Sequence, residues 1–178
     1  LKIKLSYHFG ISKISSMPKM LMLEPTNHCD LKCPLCPTGL EDKTVDRGSM
    51  KLEQFKPVID RLSKYLQSIN LYSWGEPLLH KSLVDMIRYS AKTHKIRTIT
   101  SVHLNNLTDP QVEGIVASGL DKLIVSIDGA TQEVYEKYRV GGNLETVFNN
   151  LKKLISTKKL YKSKTKIVWD FIVMKQNE

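Results

Sequence analysis

From Met20 onward, short apolar or β-branched runs alternate with stretches in which apolar residues return every three or four positions. The short runs predict strands at about Met20–Glu24, Ser68–Tyr72, Ile96–Ser101, Leu123–Asp128 and Ile167–Met174. The longer period predicts a helix over Leu52–Leu66, with Phe55, Ile59, Leu62 and Leu66 on one stripe, and another over Lys81–His94 carrying Leu83, Ile87 and Ala91. Thr108-Asp109-Pro110 opens a third helix with a capping residue and a proline in its first turn, and Gly119 closes it. A short helix over Thr131–Tyr138 and a longer one over Leu144–Leu160, with Asn143 as N-cap, complete the pattern. Strands and helices alternating in this way argue for βα units around a parallel sheet rather than a sandwich or a bundle. The near-continuous apolar run Leu123–Asp128 agrees, because a strand covered on both faces has no polar side. Residues 1–18 fit an edge strand or a short amphipathic helix equally and are set apart as an N-terminal extension, leaving 19–178 as the core domain.

Composition narrows the class without naming a chemistry. A chain of 178 residues with 41% hydrophobic and 25% charged residues has enough apolar material for one domain with a substantial core. No run approaches the roughly 18 to 20 apolar residues that cross a bilayer, and the first residues lack an apolar stretch ending in a small-residue cleavage site. The expectation is a soluble, cytoplasmic protein with no membrane span. The formal charge of +9 raises nucleic acid as a partner, but much of the excess lies in Leu151–Lys166, where leucines and isoleucine recur among the lysines. That run reads as a solvated helix face and turn rather than as a phosphate-binding surface. The chain starts at Leu1 and ends in a polar run directly after a predicted strand, and it is read as a fragment.

The three cysteines of the chain fall within one short stretch, as Cys29, Cys33 and Cys36. Neighbours three and four apart on one loop staple no distant segments, so a disulfide framework fits poorly and a metal in a reducing compartment fits well. Three thiolates can hold three irons of a 4Fe-4S cube and leave the fourth open, whereas electron-transfer clusters are usually closed by four. Taken alone, the triplet also suits a structural zinc or iron loop, with His28 or a distant histidine as fourth ligand. The cysteines follow the first strand, Gly75 and Glu76 the second, Thr100 and Ser101 end the third, and Ser126-Ile127-Asp128-Gly129 ends the fourth. In parallel βα architectures, functional residues gather at those carboxyl ends.

Cys-x-x-x-Cys-x-x-Cys after the first strand, Gly75-Glu76-Pro77 after the second and Ser126-Ile127-Asp128-Gly129 after the fourth resemble the radical S-adenosylmethionine (SAM) superfamily. Leu23-Glu24-Pro25-Thr26-Asn27, Trp74–His80 and Tyr135–Asn143 are similar to the branch that carries a C-terminal SPASM domain. The resemblance covers about Pro18 to Asn177 and implies an α/β fold, a partial (βα)6 TIM-like barrel, here truncated after about strand five. It implies that Cys29, Cys33 and Cys36 ligate a 4Fe-4S cluster whose open iron is chelated by SAM. Reductive cleavage then gives a 5′-deoxyadenosyl radical that abstracts hydrogen from a peptide, protein or small-molecule substrate, with flavodoxin or ferredoxin as reductant. An RNA-modifying member and a non-catalytic metal module are the alternatives.

The resemblance also implies cofactor contacts. Glu76 is expected to pair with the SAM ammonium, since a carboxylate is a charge-assisted acceptor, while Gly75 admits a close backbone approach. Leu35 is expected near the adenine, and Ser126 and Arg139 at the ribose and the methionine carboxylate. Where relatives read Thr-Asn-Gly after strand three this chain has Thr100-Ser101-Val102-His103-Leu104-Asn105-Asn106, so Ser101 is the replacement for the usual asparagine contact. Trp74, Trp169, Tyr135 and Tyr138 are read as packing residues, and His80, His94 and His103 as surface or helix-end residues.

Overall fold

Five parallel strands form one sheet in strict sequence order: β1 (Met20–Met22), β2 (Ser68–Asn70), β3 (Arg97–Val102), β4 (Lys122–Ser126) and β5 (Lys166–Asp170). Each pairs in register with the next, as in Leu21↔Ile69, Ile69↔Thr98, Thr100↔Leu123 and Val125↔Trp169. The computed structural model describes residues 2–12 and 17–178. Parallel neighbours require a crossover, and helices supply it: α2 (Leu52–Leu62), α3 (Leu83–Arg88), α4 (Asp109–Ala117), α5 (Gln132–Glu136) and α6 (Leu144–Leu160). Before them, α1 (Lys2–His8) forms a short helix within the N-terminal extension, while residues 1 and 13–16 lie outside the described residues.

The core lies between the sheet and these helices. Phe55 and Ile59 of α2, Met86 and Ile87 of α3, Ile115 of α4 and Val147 and Leu154 of α6 are fully buried with Ile69, Leu123 and Val125 of the sheet. Each such side chain contributes roughly 1.5–3 kcal/mol relative to exposure. The caps read from the sequence form: the Asn143 side chain accepts from the Thr146 amide at 2.7 Å, and Thr108 and Gln111 make a reciprocal capping box. Gly119 stops α4 at φ +91°, a conformation that favours glycine.

Several boundaries differ from expectation: β1, β2 and β4 end two residues early, at Met22, Asn70 and Ser126, and three further differences are larger. The second predicted helix turns at Tyr89 into a π turn over Tyr89–Thr93, closed by the His94 amide on the Tyr89 carbonyl. That wider turn buries Ser90 and places the Tyr89 hydroxyl 2.5 Å from Asp60 of α2. The first predicted helix stops at Leu62, although Leu66 stays buried. Finally, β5 ends at Asp170, short of Met174, and Val168 and Trp169 are exposed.

Candidate active site at the strand ends

The connection from β1 to α2 contains no regular element, yet its two limbs run together. Asn27 donates its amide to Gly48, Met50 donates to Pro25, and the Asn27 side chain brackets the opposite limb through Asp46 and Gly48. Arg47 then clamps the cysteine stretch, donating to the Asn27 carbonyl at 3.1 Å and to the Thr38 hydroxyl at 3.0 Å. Gly39 permits the tightest part of the fold-back: a Cβ there would lie 2.4 Å from the Cys33 carbonyl oxygen.

Three free cysteines result, all lining one cleft of about 220 Å³. Gly75, Glu76, Ser101, His103, Ser126, Tyr138 and Arg139 line the same cleft. Four strand ends thus converge as the sequence predicts, and Cys29, Cys33, Cys36, Gly75, Glu76, Ser101, Ser126 and Arg139 come together. Leu35 does not: it is 74% exposed and outside the lining. Ser101 and Ser126 place their hydroxyls 3.4 Å apart across β3 and β4. Burial pushes the Cys33 thiol up, opposed by the nearby Arg139 guanidinium. Arg139 is held firmly charged against its own burial by Asp128, whose carboxylate accepts from Nε at 2.6 Å.

Gly75 has a reason the motif alone does not reveal. A Cβ there would sit 2.0 Å from the Thr26 carbonyl oxygen and 2.7 Å from Asn27 Cα, so the approach it admits is that of the cysteine loop itself. The Glu24 carboxylate fixes the same turn, accepting from the Trp74 and Gly75 amides at 2.6 and 2.9 Å. Glu76 is 2% exposed and already works within the chain, accepting from the Leu78 and His103 amides at 2.9 Å each. Burial pushes its carboxyl up, with His103 opposing.

His103 lies elsewhere than its position in the sequence suggests. Instead of a surface or helix-end histidine it is 4% exposed inside the cleft, with Nε2 3.1 Å from Glu76, 3.1 Å from Asp30 and 3.9 Å from the Cys29 sulfur. Burial disfavours a charged ring, but Glu76, then Asp30 and Cys29, outweigh it and push the pKa up to about 10. The Asn105 amide, donating to Nδ1 at 3.1 Å, favours instead the neutral form protonated at Nε2. In both forms Nε2 carries its hydrogen. Burial raises the Asp30 carboxyl and the His103 hydrogen bond and charge more than reverse this, leaving it lowered.

Other expectations also change. His80 takes the expected helix-end position, capping the short Pro77–Leu79 turn, but it is buried there, bridging the Met50 carbonyl and the Ser82 amide, while Trp74 and Trp169 are more than half exposed. Tyr135 packs fully, as expected, and Tyr138 faces the cleft. His103, Asp30 and Glu24 left no periodic signal; the only hint was that His103 stands just beyond the third strand, where chemistry collects. Three thiols on one cleft, one of them buried beside a cation, are a donor set suited to an iron–sulfur cluster. The ligand atoms of Cys29, Asp30 and His103 also lie within 4.8 Å of one another.

No helix among the described residues is long and apolar enough to cross a membrane. Comparison with known proteins gives the cleft its family. The chain is 29% identical over 126 residues to an AdoMet-dependent heme synthase of Methanosarcina barkeri, covering 71% of this chain and 36% of that protein. It is 29% identical over 159 residues to a probable GTP 3′,8-cyclase of Methanocaldococcus jannaschii, covering 89% and 51%. It therefore spans about a third to a half of the length of these curated relatives. Among solved structures, Streptococcus suis SuiB bound to its precursor peptide SuiA shares the fold with a TM-score of 0.70 at 18% identity, covering 93% of this chain and 35% of that one. The superfamily is one of enzymes that use a 4Fe-4S cluster and SAM. With its family model matching residues 23–176, the chain belongs to the radical SAM superfamily.

Proposed function

We propose that this chain is the cofactor-binding core of an enzyme that cleaves SAM reductively and removes a hydrogen atom from a peptide, protein or small-molecule substrate. One observation carries the reading: three free cysteines share a single cleft with Gly75, Glu76, Ser101, Ser126 and Arg139, five of the six residues expected to bind SAM, at the ends of adjacent strands. Cys29, Cys33 and Cys36 would hold the cluster. Bound there, reduced cluster and SAM supply a 5′-deoxyadenosyl radical. The chain's own residues place and shelter it. Glu76 offers the acidic partner for the SAM ammonium, Ser101 and Ser126 offer hydroxyls to the ribose, and Arg139 faces the methionine carboxylate. Leu35, exposed on the loop, would cover the adenine by folding inward. Core residues 19–178 form the cofactor domain, in a cytoplasmic enzyme reduced by a flavodoxin or ferredoxin.

A small-molecule and a peptide substrate each have support, since one relative is a probable GTP 3′,8-cyclase and SuiB, which shares the fold, was solved with a precursor peptide. A second reading rests on the Cys29–Asp30–His103 group, whose spacing suits a single zinc or iron ion. Anaerobic reconstitution separates the two. The expected result is a 4Fe-4S electron paramagnetic resonance signal that changes on adding SAM, 5′-deoxyadenosine formed under reduction, and loss of both in Cys33→Ala. One tightly bound zinc with no cluster would overturn the proposal.

A further inference from the structure

His103 is buried, beyond the residues through which the cluster and SAM were expected to be held, and aimed by a strained backbone. Leu104, next in the chain, is fully buried and adopts φ +62°, a left-handed conformation that a bulky side chain rarely takes. That turn brings three further contacts to bear. The Asn105 amide donates to Nδ1, the Asn105 side chain donates to the Tyr135 hydroxyl at 3.0 Å, and the Asn106 side chain donates to Asp30 at 2.5 Å. The ring is therefore fixed from behind, and its one forward-facing hydrogen, on Nε2, points among Asp30, Glu76 and Cys29.

Resting on the cluster reading above, we propose that His103 is a positioning residue that presents its Nε2 hydrogen to the sulfur of Cys29 and thereby raises the reduction potential of the cluster. A cysteine thiolate is a stronger acceptor than a thiol. Reduction adds negative charge that spreads onto the cysteine sulfurs, so a hydrogen bond there stabilises the reduced state more than the oxidised one; such contacts are a general lever on cluster potential. Asp30, at 3.1 Å against 3.9 Å for the sulfur, accepts the same hydrogen, and the Glu76 carboxylate, 3.1 Å from Nε2, holds the ring in place by charge.

Three variants test this: His103→Leu removes the donor, His103→Asn keeps an amide too short to reach the sulfur, and His103→Gln keeps an amide nitrogen near the position of Nε2. Each is reconstituted anaerobically beside wild type, and the midpoint potential and the iron–sulfur stretching bands in resonance Raman are recorded. The expected result is a lower potential and a shift of the bands in His103→Leu and His103→Asn, both restored toward wild type in His103→Gln. If His103→Leu loses its cluster, His103→Asn and His103→Gln decide alone. Equal potentials in His103→Asn, His103→Gln and wild type, each with a full cluster, would overturn the role of His103 and leave the cluster assignment intact. A wild type that assembles no cluster would overturn both.

Discussion

The two sides of this sheet are built on opposite plans. Beside β1 and β2, the cysteine loop has almost no regular hydrogen bonding, yet Leu31 and Cys33 within it are buried. Side chains hold it: Arg47 on the Asn27 carbonyl and Thr38, Asn27 on Gly48, Glu24 on the Gly75 turn, and Asp30 on His103 and Asn106. At the other side, β5 pairs with β4 residue by residue from Lys166 to Asp170, but its side chains are largely exposed. Regularity and burial are thus separable. The loop is irregular because it must aim three sulfurs inward, and it is ordered because each turn has a specific polar anchor. The strand has a complete ladder and little cover.

Asp128 joins the two regions, and breaking it is expected to have the largest effect. It is fully buried; one carboxylate oxygen holds Arg139 in the cleft and the other accepts from the Ile172 amide just past β5 at 2.8 Å. Asp128→Ala leaves a largely buried guanidinium unpaired, which costs about 3–5 kcal/mol. Urea unfolding of the purified chain measures it, and a loss under about 1 kcal/mol would mean that water reaches Arg139 freely and that the cleft is looser than described.

That link was only half legible in the sequence. The motif marks Ser126-Ile127-Asp128-Gly129 as a strand end, and the resemblance offers Arg139 to a carboxylate, but nothing in periodicity says that Arg139 gives its Nε hydrogen to Asp128. The same holds elsewhere. The parallel βα alternation, helix caps and the convergence of cysteines with Gly75, Glu76, Ser101 and Ser126 follow from local pattern plus the rule that parallel strands place their loops on one side. His103 does not, because its environment is made by Asp30, 73 positions away, and by the positive φ of Leu104. The π turn at Tyr89 depends on a contact with Asp60, 29 positions back. Alternation cannot report contacts of that range, nor the exposure of Leu35 and β5, which depends on what lies opposite them.

Two glycines on the loop side differ in what surrounds them. A Cβ at Gly75 meets backbone of the cysteine loop at 2.0 Å, whereas one at Gly48, in the same region, meets nothing within 4 Å. Gly75→Ala must push two backbones apart and is expected to cost about 1–3 kcal/mol, with iron content after reconstitution falling as the loop moves. Gly48→Ala should stay within about 0.5 kcal/mol of wild type and keep its iron. Similar losses for the two would indicate that the loop tolerates any backbone and is not anchored as the hydrogen bonds imply.

The smallest effect on stability is expected at β5, and there a different property changes. Val168 is 39% exposed, between Ile167, partly buried against the core, and Trp169, whose indole donates to the Ile127 carbonyl at 2.7 Å. A lysine at 168 removes little packing, so Val168→Lys should shift folding free energy by no more than about 0.5 kcal/mol. An apolar strand with one neighbour is also a template for pairing with another chain, and a charge there opposes that pairing. Light scattering across a concentration series should therefore show less self-association in Val168→Lys than in wild type at nearly unchanged unfolding midpoint. A large loss of stability instead would show that Val168 is packed, and the contrast between an anchored loop and an uncovered strand would fail on its second half.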